Sequence, residues 1–258
     1  MGLSRIIVLL AVLTTGLSMP GFAWAAACLT PKTPGASAPY NSPPRAGVFT
    51  YRITHNPHSK TPDITHHRYR VKSITGDKVR WFREPVQGKG PIQDVTLYRA
   101  FARTAAGGGW LFNFDVGQFD KLWPLQQGNE VSYQANATKE GKLQFNLTAS
   151  FCVRGTKTLK LLAGEFEGHL IDITIKVEDP PADLGWDLAE INAWYVTDFG
   201  TALLMEDRIT RKGKLILMRR REAMEVPEVG ANADKQNDSP PAEPAPPNFQ
   251  FPGLNSQK

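Results

Sequence analysis

The chain has 258 residues, a formal net charge of +5 and two cysteines, and 41% of its residues are hydrophobic. With a 25-residue leader set aside, 233 residues remain, enough for one large β domain or two small ones. No Lys/Arg block is longer than Arg219-Arg220-Arg221, and together with a secreted address this excludes nucleic acid as a partner.

Residues 1–25 read as that leader. Arg5 supplies a positive start, Ile6 to Leu13 is an unbroken apolar run, and Met19-Pro20-Gly21 interrupts it. Ala23-Trp24-Ala25 then offers small residues at the two positions a signal peptidase reads. The apolar run falls short of the roughly 20 residues a membrane-spanning helix needs. A mature chain starting near Ala26 works outside the cytoplasm, in the periplasm. Cleavage directly before Cys28, with lipid attached there, is the alternative. It needs a branched or long apolar residue where Ala25 stands, and it leaves Cys152 as an odd thiol in an oxidising compartment. A Cys28–Cys152 disulfide uses both cysteines and is the favoured reading.

Residues 26–45 form a Pro-rich arm, 46–222 a single β domain, and 223–258 a Pro- and Ala-rich tail expected to be disordered. Phe249 and Phe251 in that tail could dock on a partner, although a spacer is the plainer reading. Within the domain the dominant period is two. Phe49, Tyr51 and Ile53 share a face, which Tyr69 and Val71 continue, followed by Val79 with Trp81, then Val95, Leu97 and Phe101. Trp110, Phe112 and Phe114 follow the Gly107-Gly108-Gly109 turn. Over 143–153, Leu143, Phe145, Leu147, Ala149, Phe151 and Val153 alternate with polar residues, and Cys152 falls on the polar face. Ile171, Ile173, Ile175 and Val177 repeat the pattern. Segments 202–210 and 214–221 are joined across Arg211-Lys212-Gly213. Single helical turns are predicted at Val116–Leu122 and Asp187–Ala193. This is an all-β pattern: a curved antiparallel sheet or open half-barrel with one buried face.

Three stretches carry a family resemblance. They are Trp123-Pro124-Leu125-Gln126-Gln127-Gly128-Asn129-Glu130-Val131-Ser132-Tyr133, then Leu162-Ala163-Gly164-Glu165-Phe166-Glu167-Gly168, then Ala193-Trp194-Tyr195-Val196-Thr197-Asp198-Phe199-Gly200. Their order resembles a widespread group of secreted bacterial β-domains of unknown function, with segments PL-x-x-G-x-x-W-x-Y, PAG-x-F and WY. Val131 replaces the favoured Trp and Leu162 the favoured Pro. The resemblance covers about residues 120–220. It implies an open barrel or curved sheet, distantly similar to periplasmic carriers of the LolA type, and no activity.

Four histidines, His55, His58, His66 and His67, surround one loop and could hold Zn²⁺ or Cu²⁺ if they converge, but His66 and His67 must face opposite sides of a regular strand. Glu165, Glu167, Asp172, Asp183 and Asp187 are carboxylates that hydrolysis would need in a fixed pair. Trp81, Phe82, Trp110, Phe112, Phe114 and Trp123 are core, or else line a greasy groove for an acyl chain or apolar peptide. The body carries +7 against a tail of −3 once Arg5 is removed, so Arg219, Arg220 and Arg221 are candidates for peripheral membrane contact. The sequence thus reads as a non-catalytic envelope protein binding a lipid, glycan or protein, with no cofactor and no indicated oligomeric state. Metal binding through the histidines is the alternative, and a hydrolase with a carboxylate site comes third.

Overall fold

In a computed structural model the described residues are 28, 37–40, 47–87, 90–182 and 184–228. The leader, most of the arm, Asp183, and the tail beyond 228 with Phe249 and Phe251 lie outside them.

Twelve antiparallel strands close into a barrel in chain order. They are β1 Val48–His55, β2 Asp63–Thr75, β3 Lys78–Pro85, β4 Gln93–Tyr98, β5 Ala102–Ala106 and β6 Trp110–Phe114. After the short helix α1 (Val116–Asp120) come β7 Glu130–Lys139, β8 Lys142–Leu161, β9 Gly164–Glu178, β10 Leu188–Val196, β11 Thr201–Arg211 and β12 Lys214–Glu225. The all-β expectation holds, but the sheet is not an open half-barrel. β1 pairs with both β2 and β12, with Ile53 opposite Thr65 on one side and Arg221 on the other. Closure leaves no edge strand among the described residues for another chain to extend. On the outer face of the seam Thr50 Oγ1 donates to Glu225 and Arg52 pairs with Glu222 at 2.9 Å.

Several local expectations are corrected. Asp187–Ala193 is not a helical turn; most of it lies in β10, where Ala189, Ala193 and Tyr195 are buried in strand alternation between β9 and β11. The sheet continues past 222, since Ala223 is fully buried and β12 reaches Glu225. Leu143 is 59% exposed because a bulge in the β7–β8 pairing takes it off the apolar face, and Phe101 sits in the β4–β5 turn. The β11–β12 reversal is a two-residue turn whose Lys212 and Gly213 both adopt positive φ, the hand that matches strand twist.

One end of the barrel is plugged. Asp115 caps α1 by accepting from the Gly117 N–H, and Phe119 drives into the interior against Tyr133 and Phe151. Leu122 and Leu125 are fully buried beside it, and the Ala38 backbone pairs with Leu125 in both directions. The β8–β9 hairpin runs past the wall at this end, and its Leu159, Leu161 and Phe166 pack against Phe199, Val196 and Leu203. Gly168 permits that packing, since a Cβ there would meet Leu159 Cδ1 at 2.7 Å. The other end is rimmed by the β1–β2, β3–β4, β5–β6, β7–β8, β9–β10 and β11–β12 reversals.

Cys28 and Cys152 are disulfide-bonded with Cα atoms 5.5 Å apart, on the outer wall, where the Cys28 N–H donates to Glu130 Oε2. The link spans 124 residues, a long loop in the unfolded chain. Cys152→Ser is expected to cost about 2–4 kcal/mol, read as a lower urea midpoint with a somewhat larger m-value, because the released unfolded chain is less compact. Phe119→Ala is expected to cost about 3–5 kcal/mol by the same measurement, because it empties the plug.

Candidate functional site

Register divides the wall into inward and outward residues, because directly paired residues share a face. Starting from Tyr51 and Ile53, the inward set on β6 to β10 is apolar between the plug and the rim, where Lys139 lies: Phe112, Phe114, Ala137, Leu147, Ile175 and Ile191 among others. Phe112, Phe114, Ile175, Ile191 and Met205 point inward yet are only partly buried. Solvent therefore reaches the interior above the plug, and the barrel has a lumen.

The facing wall is polar. Inward positions on β1 to β5 and on β11 and β12 hold His55, His67, Tyr69, Arg83, Arg103, Asp207, Arg219 and Arg221. Arg103 reaches this face because a bulge in the β4–β5 pairing sets it opposite Leu97, one step out of simple alternation. Asp207 is 4% exposed and accepts from Arg219 Nε at 2.8 Å and from Arg221 at 3.1 Å. Burial raises its pKa, but Arg221 and Arg219 overcome that and hold it down at about 2. Arg83 donates to Gln93 Oε1 at 3.1 Å and to His67 Nδ1 at 3.3 Å, and lies over the Tyr69 ring at 5.7 Å. Burial and then Arg83 press the His67 pKa down to about 4, so His67 is neutral and accepts. Arg103 has neither hydrogen bond nor ion pair among the described residues; its guanidinium sits 6.0 Å from the Phe112 ring centroid. Enclosure within the barrel wall, then Arg221 and Arg219, lower its pKa to about 10, although the side chain is open to solvent in the lumen. The same field acts on Tyr69: burial raises its pKa, yet Arg83, Arg221 and Arg219 leave it below the ordinary tyrosine value.

The sequence candidates fare unevenly. Trp81 and Trp110 are buried core, Phe112 and Phe114 line the lumen, and Trp123 packs edge-on against Tyr195 near the plug. Phe82 points outward under Lys72, so these six do not form one groove. The four histidines do not converge. His55 and His67 face the lumen, His66 faces out opposite Arg52, and His58 is exposed in the loop. No group of three or more His, Cys, Asp or Glu side chains able to hold a metal occurs among the described residues, and the neighbouring arginines repel a cation. The carboxylates are scattered: Glu165 pairs with Lys160, Asp172 with Arg154, and Asp187 accepts from the Lys212 N–H. Arg219–Arg221 is not a basic face. Arg219 and Arg221 turn inward to Asp207, while Arg220 turns outward to Glu206 and Glu222. A concavity of about 470 Å³ surrounds the disulfide on the outer wall, but its polar groups pair with one another, as in Arg154–Asp172 and Ser132–Ser150.

Sequence reasoning missed Arg83, Arg103, Tyr69 and Asp207. For Arg83 the signal was present: a charge at the parity of Val79 and Trp81, where an apolar residue belongs. Arg103 had none, because its bulge is invisible in the alternation.

No protein-family model matches the chain, and no curated protein matches its sequence. Among solved structures it is similar to the hypothetical lipoprotein YmcC of Escherichia coli (K12), at 8% identity, 70% of this chain, 85% of that one and a TM-score of 0.43. It is also similar to a candidate lipoprotein of Parabacteroides distasonis, at 11% identity, 74% and 99% coverage and a TM-score of 0.42. A candidate exported protein with a YmcC-like fold from Bacteroides fragilis matches at 12% identity, 72% and 98% coverage and a TM-score of 0.43.

Asp207→Asn strands two enclosed guanidiniums and is expected to cost about 3–5 kcal/mol. The native carboxyl titrates near 2 against 3.8 when unperturbed, so its contribution is present above about pH 4 and lost as pH falls through about 2. Circular dichroism across that window should show wild type losing stability more steeply than the variant.

Proposed function

We propose that this protein is a non-catalytic component of the bacterial envelope, exported to the periplasm, that holds the apolar part of a lipid inside its barrel. The observation that carries this reading is the inward but solvent-reached apolar wall of Phe112, Phe114, Ile175, Ile191 and Met205 above a plugged floor. Such a surface fits an acyl chain better than a glycan, which calls for polar groups. The mouth supports the same reading: Ile64, Leu111, Leu143, Leu215 and Ile216 lie at strand ends on the rim, each 44–59% exposed. An apolar collar eases passage of an apolar ligand between a membrane and the lumen. Export is supported by the Ala23-Trp24-Ala25 site and by a disulfide that suits an oxidising compartment. Cys28 is engaged in that disulfide, which argues against a lipid anchor on its sulfur.

Native mass spectrometry of the protein taken from its own periplasm tests the reading. Extra mass that denaturation releases as an acyl species is expected, and Phe112→Asp should lose it while keeping the wild-type circular dichroism. A bare chain that also fails to take up a monoacylglycerol would overturn it.

A further inference from the structure

We propose that Arg83, Arg103, Arg219 and Arg221 form an oxyanion site inside the barrel that selects ligands bearing a carboxylate or phosphate group. The proposal rests on the lumen described above and names the head of the ligand whose tail lies on the apolar wall.

Charge count comes first. On inward positions between the plug and the rim, these four arginines face a single carboxylate, Asp207. Asp207 is committed to Arg219 and Arg221 together, so one carboxylate serves two guanidiniums. Arg83 is held only by neutral partners, His67 and Gln93. Arg103 has no polar partner among the described residues and is exposed to the lumen. Enclosed like charges repel unless an anion joins them, and guanidinium forks suit carboxylate and phosphate oxygens.

Unsatisfied groups point the same way. Tyr69 Oη and Arg221 Nε are both buried; the Arg221 guanidinium lies close enough to Tyr69 to lower its pKa, yet among the described residues neither atom makes a hydrogen bond of good geometry. Tyr69 lies beneath Arg83, and the pKa shifts of Tyr69 and Arg103 place both residues within the field of Arg219 and Arg221. A bound oxyanion would give Tyr69 an acceptor and Arg103 a counter-charge. Arg103 also stands at the junction of the two walls, its guanidinium over the Phe112 ring. An amphiphile with its head at Arg103 and Arg83 therefore has its tail directed along Phe112 and Phe114.

The test compares a fatty acid, a lysophosphatidate and a monoacylglycerol of equal chain length, in wild type and Arg103→Gln. Arg103 is the variant of choice because no hydrogen bond or ion pair of the fold is lost with it. Wild type is expected to bind the two anionic amphiphiles about tenfold more tightly than the neutral one. Arg103→Gln should abolish most of that preference, bringing the two anionic amphiphiles down to about the affinity of the monoacylglycerol. Equal affinities in wild type, or a preference that survives the substitution, overturn the oxyanion site and leave the lumen reading standing. If no amphiphile binds but inorganic phosphate raises the melting temperature of wild type and not of Arg103→Gln, the site stands and the lipid reading falls. No response to any of these probes overturns both.

Discussion

The hydrogen bonds between β1 and β12 give this protein an interior, and every other property described depends on them. Were the sheet open, Tyr51, Ile53, Arg219 and Arg221 would face water along two free edges, where a guanidinium is solvated at no cost. Closure turns the same alternation into a partition between an outer wall of paired charges and an inner wall with distinct chemistries. The outer ladder of Arg52, Glu222, Arg220 and Glu206 runs across the seam, so the residues that join the ends of the sheet alternate with those that line the lumen.

Inside, two demands compete. A barrel of twelve strands is too wide for side chains from the wall alone to fill, and the plug of Phe119, Leu122 and Leu125 supplies the missing volume at one end only. Above the plug, desolvating Asp207 costs more than a well-packed apolar residue would, even with two guanidiniums around it. The polar wall is therefore a poor device for stability. Its arrangement makes sense as a surface held ready for a charged partner, with the entropy of positioning met in advance by the strands.

Sequence periodicity made the β class, α1, the last hairpin and the outward position of Cys152 legible. It did not reveal closure, because strand alternation reports that a face is buried and is silent on whether the first and last strands meet. Bulges account for Leu143 and Arg103, since one extra residue reverses the parity on which the reading depends. β10 went unread because Ala189, Ala193 and Tyr195 are a faint apolar series beside Glu190 and Asn192. In the lumen the difficulty was different. Arg219 and Arg221 look like a surface charge run with Arg220, and only the inward parity of β12 against β1 separates them.

The plugged end also gathers the described residues that flank the barrel in sequence. The stapled Cys28, the bridge at Ala38, the start of β1 and the end of β12 all lie on that side. Among the described residues the rim of the mouth is thus made of chain reversals, each joining two adjacent antiparallel strands. A loop between neighbouring strands can lengthen or shorten at a cost that grows only with the logarithm of its length. The entrance can consequently drift in shape and polarity over evolutionary time, while the register that aligns the interior stays untouched.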